Sequence, residues 1–194
     1  MIRFLLVISM LILAAFGIWQ LGQAGLIAAK AWAAPVLMEH AFNQSEAADQ
    51  PVRPWPWADS YPIARVAVPR LEAAEYVLSE SNMRNLAFGP TALEMGANTV
   101  LFAHRDTHFN FLQNLQVGDA VAVKYRGQDL QNWRVARISV IDQDNLYVQR
   151  GSDQKLLLLV TCYPFNSMAQ NPSQRFVAWL APAGDLGQNA LLRL

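Results

Sequence analysis

Cys162 is the only cysteine in a chain of 194 residues, so no intramolecular disulfide can employ it. It closes an apolar run, Leu156-Leu-Leu-Leu-Val-Thr-Cys162, and Pro164 follows two residues later. A proline cannot continue a central ladder, so the spacing predicts a buried strand that ends beside the thiol. Such a thiol has two possible lives. It can be a small buried hydrophobe, the usual fate of a free cysteine. It can also be a nucleophile, which requires a thiolate and therefore an imidazole or a cation nearby.

Two residues meet that requirement. His104 lies in Leu101-Phe-Ala-His-Arg-Asp-Thr-His108, where a second apolar run gives way to a polar cluster. Arg175 follows Asn171-Pro-Ser-Gln and opens a third apolar run. Taken singly, the histidine would be structural and the arginine a solvated surface charge. Placed at neighbouring strand ends of one small domain, they could share an edge with Cys162. There the imidazole could move protons, and the guanidinium could hold down the thiol pKa and stabilise an oxyanion.

Strands must position these groups. Period-2 alternation or compact apolar runs predict strands over 63–68, 75–78, 99–103, 119–125, 133–141, 155–161 and 175–181, with helical turns near 82–86 and 109–115. Many short strands with little helix argue a closed or sandwiched β domain.

The remaining sequence divides differently. From Phe4 to Ala29 no side chain is charged, and as a helix these residues would reach about 39 Å against the roughly 20 apolar residues that a bilayer core requires. The segment reads as an uncleaved signal-anchor over residues 1–30. A cleaved signal peptide ending at Ala31-Trp-Ala33 is the competing reading, although its apolar region should be shorter. Arg3 and the amino terminus give a weak positive-inside bias, partly offset by Lys30. Residues 31–60 read as a tether, broken by Ala34-Pro35, by Asn43-Gln-Ser-Glu46 and by Pro51, Pro54 and Pro56. Trp55 and Trp57 within it either pack the start of the domain or sit at a membrane interface. A catalytic domain is expected over 61–194. With 15 acidic and 15 basic residues the chain is neutral, which excludes a dense phosphate-binding surface.

Thr161-Cys162 at a strand end, Arg175 thirteen residues on and His-Arg-Asp-Thr about 60 residues upstream together resemble the sortases, over roughly residues 60–181. The wording Thr-Cys-Tyr-Pro-Phe and His-Arg-Asp-Thr-His is most similar to sortases of Gram-negative bacteria, the class GN type. The resemblance implies a closed β-barrel of about eight strands behind one amino-terminal transmembrane helix. It implies a cysteine transpeptidase with Cys162 as nucleophile, His104 as acid and base, and Arg175 on the oxyanion. Thr161 and Tyr163 would contact substrate, the latter through a backbone N–H nearby, and Arg105, Asp106 and His108 are weaker candidates that could instead fix the His104 loop. The implied partners are a protein bearing a C-terminal LPXTG-like sorting signal and an amine acceptor, at the periplasmic face of a bacterial inner membrane. No cofactor is expected, and without an acidic run no calcium dependence.

Other readings use the same residues. A metal bound by His104, His108 and Cys162 is disfavoured, because Arg105 stands where a zinc-protease helix has its glutamate. A cysteine hydrolase would discharge the same thioester onto water. A tethered β scaffold would have an inert Cys162.

Overall fold

In the computed structural model, which describes residues 2–146, 155–167 and 172–184, eight strands close into one barrel. They are β1 (Pro62–Val68), β2 (Ala73–Leu78), β3 (Thr91–Met95), β4 (Asn98–Phe102), β5 (Ala120–Tyr125), β6 (Leu130–Asp142), β7 (Leu157–Tyr163) and β8 (Gln174–Pro182). Around the barrel the order is β1-β2-β3-β4-β7-β8-β6-β5. All neighbours are antiparallel except β2–β3 and β4–β7. Residues 185–194 of the expected domain, and Asn171 of the arginine motif, lie outside the described residues.

Alternation along the strands sorts side chains onto two faces. Val66, Val77, Leu101, Val123, Val135, Leu157, Leu159, Ala178 and Leu180 fill the interior. A second, smaller cluster lies on the opposite side of the same strands: Val100, Leu158, Val160, Val177 and Trp179, with Phe102, Ile141 and Leu146 packed against it. The barrel therefore buries the inward face everywhere and the outward face of β4, β7 and β8 as well. That explains why the Leu-rich run of β7 shows no alternation.

Seven of the eight strands match runs expected from the sequence; β3 does not. After Thr91 the segment Ala-Leu-Glu-Met holds no β-branched or aromatic residue, and Leu93 and Glu94 are exposed. It becomes a strand through its hairpin with β4, from Thr91↔Phe102 to Met95↔Asn98, across a turn in which Gly96 has φ of 67°. The two expected helical turns are present as short 3-10 segments, Asn85–Ala87 and Asn110–Asn114.

The tether is the larger correction. A single helix, α1, runs over Ile2–Ala48 with Pro35 inside it, so 31–48 are helical rather than broken. Ala34, Met38, Ala41, Phe42 and Ser45 form a helical stripe that is buried on the barrel. Phe42 meets Tyr76 of β2 with ring centroids 5.5 Å apart. Glu46 bonds Lys124 at 2.8 Å and accepts the Gly127 N–H at 2.7 Å, pinning the last turns to the β5–β6 hairpin. Burying Met38 and Phe42 contributes about 1.5–3 kcal/mol each, enough to outweigh the roughly 3 kcal/mol cost of an interior proline. Asn43-Gln-Ser-Glu46 is equally helical, and the Ser45 hydroxyl donates to the Ala41 carbonyl and accepts from the Val52 N–H.

At its other end α1 is apolar and bare. Leu6–Gly25 is long and apolar enough to cross a membrane, and none of that window is buried against the barrel.

Candidate active site

β7 and β8 pair so that Cys162 stands directly opposite Arg175. Directly opposed residues on antiparallel strands project from the same face, with Cβ atoms about 4.5–5.5 Å apart. That face is the outward one. Cys162 keeps phase with Leu158 and Val160, and Arg175 with Val177 and Trp179, all members of the outer cluster. The thiol is half-buried.

On the other side of β7 lies β4, in parallel register through Phe102↔Val160. The Ala103 N–H extends this ladder by one bond to the Val160 carbonyl at 3.4 Å. His104 is two residues past Phe102, and Cys162 two past Val160. The register thus directs the chain at His104, whose side chain is exposed, toward the end of β7 that holds Cys162. Cys162 and Arg175 stand paired near the ends of β7 and β8, and His104 follows the end of the neighbouring β4.

The Arg175 guanidinium is held by its own surroundings. One terminal nitrogen donates to the carbonyls of Pro172 at 2.5 Å and Gln174 at 2.9 Å, and the other to Gln143 Oε1 at 2.7 Å. Gln143 is itself fixed, its N–H donating to the Ser173 carbonyl at 2.7 Å. Sequence reading missed Gln143, since a glutamine in Ile-Asp-Gln-Asp carries no signal. Only the β6–β8 register, Ile141↔Arg175, places it beside the arginine.

The neighbours of the three residues divide the supporting work. Thr161 points into the barrel: it is 3% exposed, and its hydroxyl donates to the Ala103 carbonyl at 2.7 Å. In this structure it ties β7 to the segment that carries His104 and does not face the open side. Tyr163 likewise packs its ring against the interior cluster and Phe165. Arg105 is buried, and its guanidinium donates to the carbonyls of Pro164 at 2.9 Å and Ser167 at 2.5 Å, with the Asp106 carboxylate 3.3 Å away. It links the His104 loop to the chain just after Cys162.

His108 turns elsewhere. Its Nδ1 lies 2.9 Å from Glu75 Oε2 on β2, and Nε2 lies 3.5 Å from the Ala87 carbonyl. Burial is the largest influence on this imidazole and pulls its pKa down. The Glu75 hydrogen bond and charge, with the Ala87 carbonyl, oppose it and carry the pKa above the usual histidine value. Among the described residues no three His, Cys, Asp or Glu side chains converge as metal ligands.

Comparison with known proteins identifies the family and the fold. Residues 66–183 match the sortase domain family. No curated protein matches the chain. Among solved structures it is similar to sortase C-1 of Actinomyces oris, at 24% identity over 62% of this chain and 74% of that one, with a TM-score of 0.51. Sortase C1 of Streptococcus agalactiae is 25% identical over 67% of this chain and 71% of that one, with a TM-score of 0.54. Sortase A of Corynebacterium diphtheriae is 18% identical over 80% and 86%, with a TM-score of 0.58. With the domain match spanning more than half of its length and its strands closing into the same kind of barrel, the chain belongs to the sortase family, the cysteine transpeptidases.

Proposed function

We propose that this protein is a membrane-anchored sortase that cleaves a C-terminal LPXTG-like sorting signal and joins the released protein to an amine at the cell envelope. The observation that carries the reading is the direct pairing of Cys162 with Arg175; the parallel β4–β7 register, which ends at Phe102↔Val160, supports His104 as their third partner. The Cys162 thiolate attacks the scissile carbonyl carbon, and the C–S bond forms as the carbonyl electrons move onto oxygen. Arg175 exchanges its bond to Pro172 for the substrate while Gln143 holds its other terminal nitrogen, and with a backbone N–H near Tyr163 it stabilises that oxyanion. Collapse breaks the C–N bond while His104 gives a proton to the departing amine, leaving a thioester. The incoming amine then attacks the thioester, His104 takes its proton, and the thiolate leaves as the new amide forms.

A substrate groove kept dry by apolar side chains would favour aminolysis over hydrolysis, because water competes with the amine for the thioester. The Thr-Cys-Tyr-Pro-Phe and His-Arg-Asp-Thr-His wording supports a Gram-negative sortase, with α1 in the inner membrane and the barrel in the periplasm. The test is intact-mass spectrometry of the full chain in detergent with a panel of LPXTG-like peptides, with and without an added amine. A Cys162 adduct discharged by the amine as an amide is the expected result. An adduct discharged only by water identifies a hydrolase, and a thiol inert to peptide and alkylating agent alike removes the reading.

A further inference from the structure

Away from the catalytic strand ends, the structure holds an apolar surface that the transpeptidase reaction does not use. A cavity of about 470 Å³ lies between the carboxyl-terminal half of α1, the chain entering β1 and the 3-10 turn Asn85–Ala87. Leu37, Trp55, Trp57 and Phe88 line it. The two tryptophans of the Pro54-Trp-Pro-Trp57 stretch have parted company. Trp55 packs edge-on against Phe88 with centroids 5.1 Å apart, whereas Trp57 remains 74% exposed. On the adjoining helix surface Trp32 is 81% and Val36 61% exposed, one turn apart. An ion pair, Arg84–Asp59 at 2.7 Å, rims the same cavity. These exposed apolar side chains, from the outward side of α1 to the mouth of the cavity, mark a binding surface.

The helix itself identifies what covers it. Trp32 lies only seven residues beyond Gly25, the end of the candidate span, a rise of about 10 Å. The uncharged run Phe4–Ala29 is about 39 Å long, some 9 Å more than a hydrocarbon core of about 30 Å, and such an excess is accommodated by tilt. Because α1 is one helix whose last turns are packed and hydrogen-bonded to the barrel, a tilt of the span carries the barrel toward the surface. Tryptophan, with its apolar ring and polar N–H, is the side chain most at home in the headgroup layer.

We infer that the patch formed by Trp32, Val36, Leu37 and Trp57 is seated in the interfacial layer of the phospholipid bilayer, so that the barrel rests on the membrane on one side. This rests on the proposed membrane anchoring and adds a second contact to it. The seat lies at the amino-terminal end of β1. Val117, 61% exposed, lies just before β5, whose Ala122 pairs with Ala67 near the other end of β1. Val117 therefore serves as an aqueous reference.

The experiment places a nitroxide at single cysteines in the full chain carrying Cys162→Ala, reconstituted in phosphatidylcholine–phosphatidylglycerol vesicles. The variants are Leu13→Cys in the span, Trp57→Cys in the patch and Val117→Cys, each at an exposed side chain. Collision with a water-soluble nickel chelate should be about tenfold weaker at 57 than at 117, as for an interfacial side chain. Oxygen accessibility at 13 should be that of hydrocarbon. If label 13 is in hydrocarbon but label 57 is as accessible to nickel as label 117, the seating is overturned and the anchor stands. If label 13 is aqueous, both fall. Spin–spin broadening at 57 that vanishes on dilution with unlabelled protein would show a second copy on the patch, and it too overturns the inference.

Discussion

Arg105 donates a 2.9 Å hydrogen bond to the carbonyl of Pro164, so the residue after the candidate acid–base histidine grips the chain two residues beyond the candidate nucleophile. The same guanidinium also reaches the Ser167 carbonyl. Two loops that belong to different strands are thereby held by one buried side chain. The course of the chain through His104 relative to β7 depends on that hold as well as on the β4–β7 ladder.

Arg105→Ala should therefore lower both stability and turnover. Hydrogen bonds from a charged donor contribute about 1.5–3 kcal/mol each when buried and less where, as at Pro164 and Ser167, the acceptors are partly exposed, so a loss of roughly 1–3 kcal/mol is expected in chemical denaturation. Arg105→Lys should recover the charge but not the fork, and so only part of the activity. A variant as stable and active as the parent would show that the hold is dispensable.

For the three central residues the expected effects differ in kind. Cys162→Ala should abolish adduct formation with an unchanged circular dichroism spectrum. His104→Ala should slow transfer by about 10²–10⁴-fold at neutral pH, the usual worth of a positioned acid–base group. Arg175→Lys should lose most of its turnover number, because a point charge cannot reproduce a forked donor.

Gln143 offers a subtler test, since it touches Arg175 rather than substrate. Gln143→Ala should lower kcat by about tenfold through a less well-placed guanidinium while changing KM little. Gln143→Glu, which can still accept from the guanidinium, should restore most of the rate. Equal kinetics in all three proteins would show that Gln143 merely parks the arginine in the resting state.

The His108–Glu75 pair predicts a pH dependence of stability. His108 titrates above its ordinary value of 6.5 in the folded protein. A group whose folded pKa is raised stabilises fully below its unfolded pKa, and that contribution is lost as pH rises through the folded one. The melting temperature should accordingly fall as pH climbs from below 6.5 through the raised value. His108→Gln should flatten that part of the profile. A parent profile that is level there would mean that the imidazole has the same pKa folded and unfolded, so that the Glu75 contact adds nothing to its protonated form.

How far the sequence reveals this molecule depends on the kind of interaction. β7 and the position of Cys162 at its end were legible because an apolar run stopped by Pro164 has one structural meaning. His104 and Arg175 were legible as strand-end residues, but their convergence came from the resemblance, since pairing partners are not encoded locally. Thr161 reads as a substrate contact from its place beside Cys162, yet alternation turns it inward to the Ala103 carbonyl. The helical course of 31–48 was hidden by Pro35 and Asn43. Their local penalties are overridden by tertiary burial of Met38 and Phe42, which no window of sequence displays. β3 stayed hidden for the same reason, being a strand only by virtue of its partner.

The unbroken α1 converts residue number into orientation. Along a helix each residue adds about 1.5 Å of height and 100° of rotation. Where the span is fixed in the bilayer and the last turns are fixed to the barrel, the residues between Gly25 and Ala34 act as a phase setting for the catalytic face. Inserting one alanine there would swing the groove about a quarter turn away, and inserting seven would return it nearly to its original heading at greater height. Activity toward a membrane-tethered substrate should oscillate with insert length, while activity toward a short soluble peptide stays level. A flexible linker would give a flat response to both.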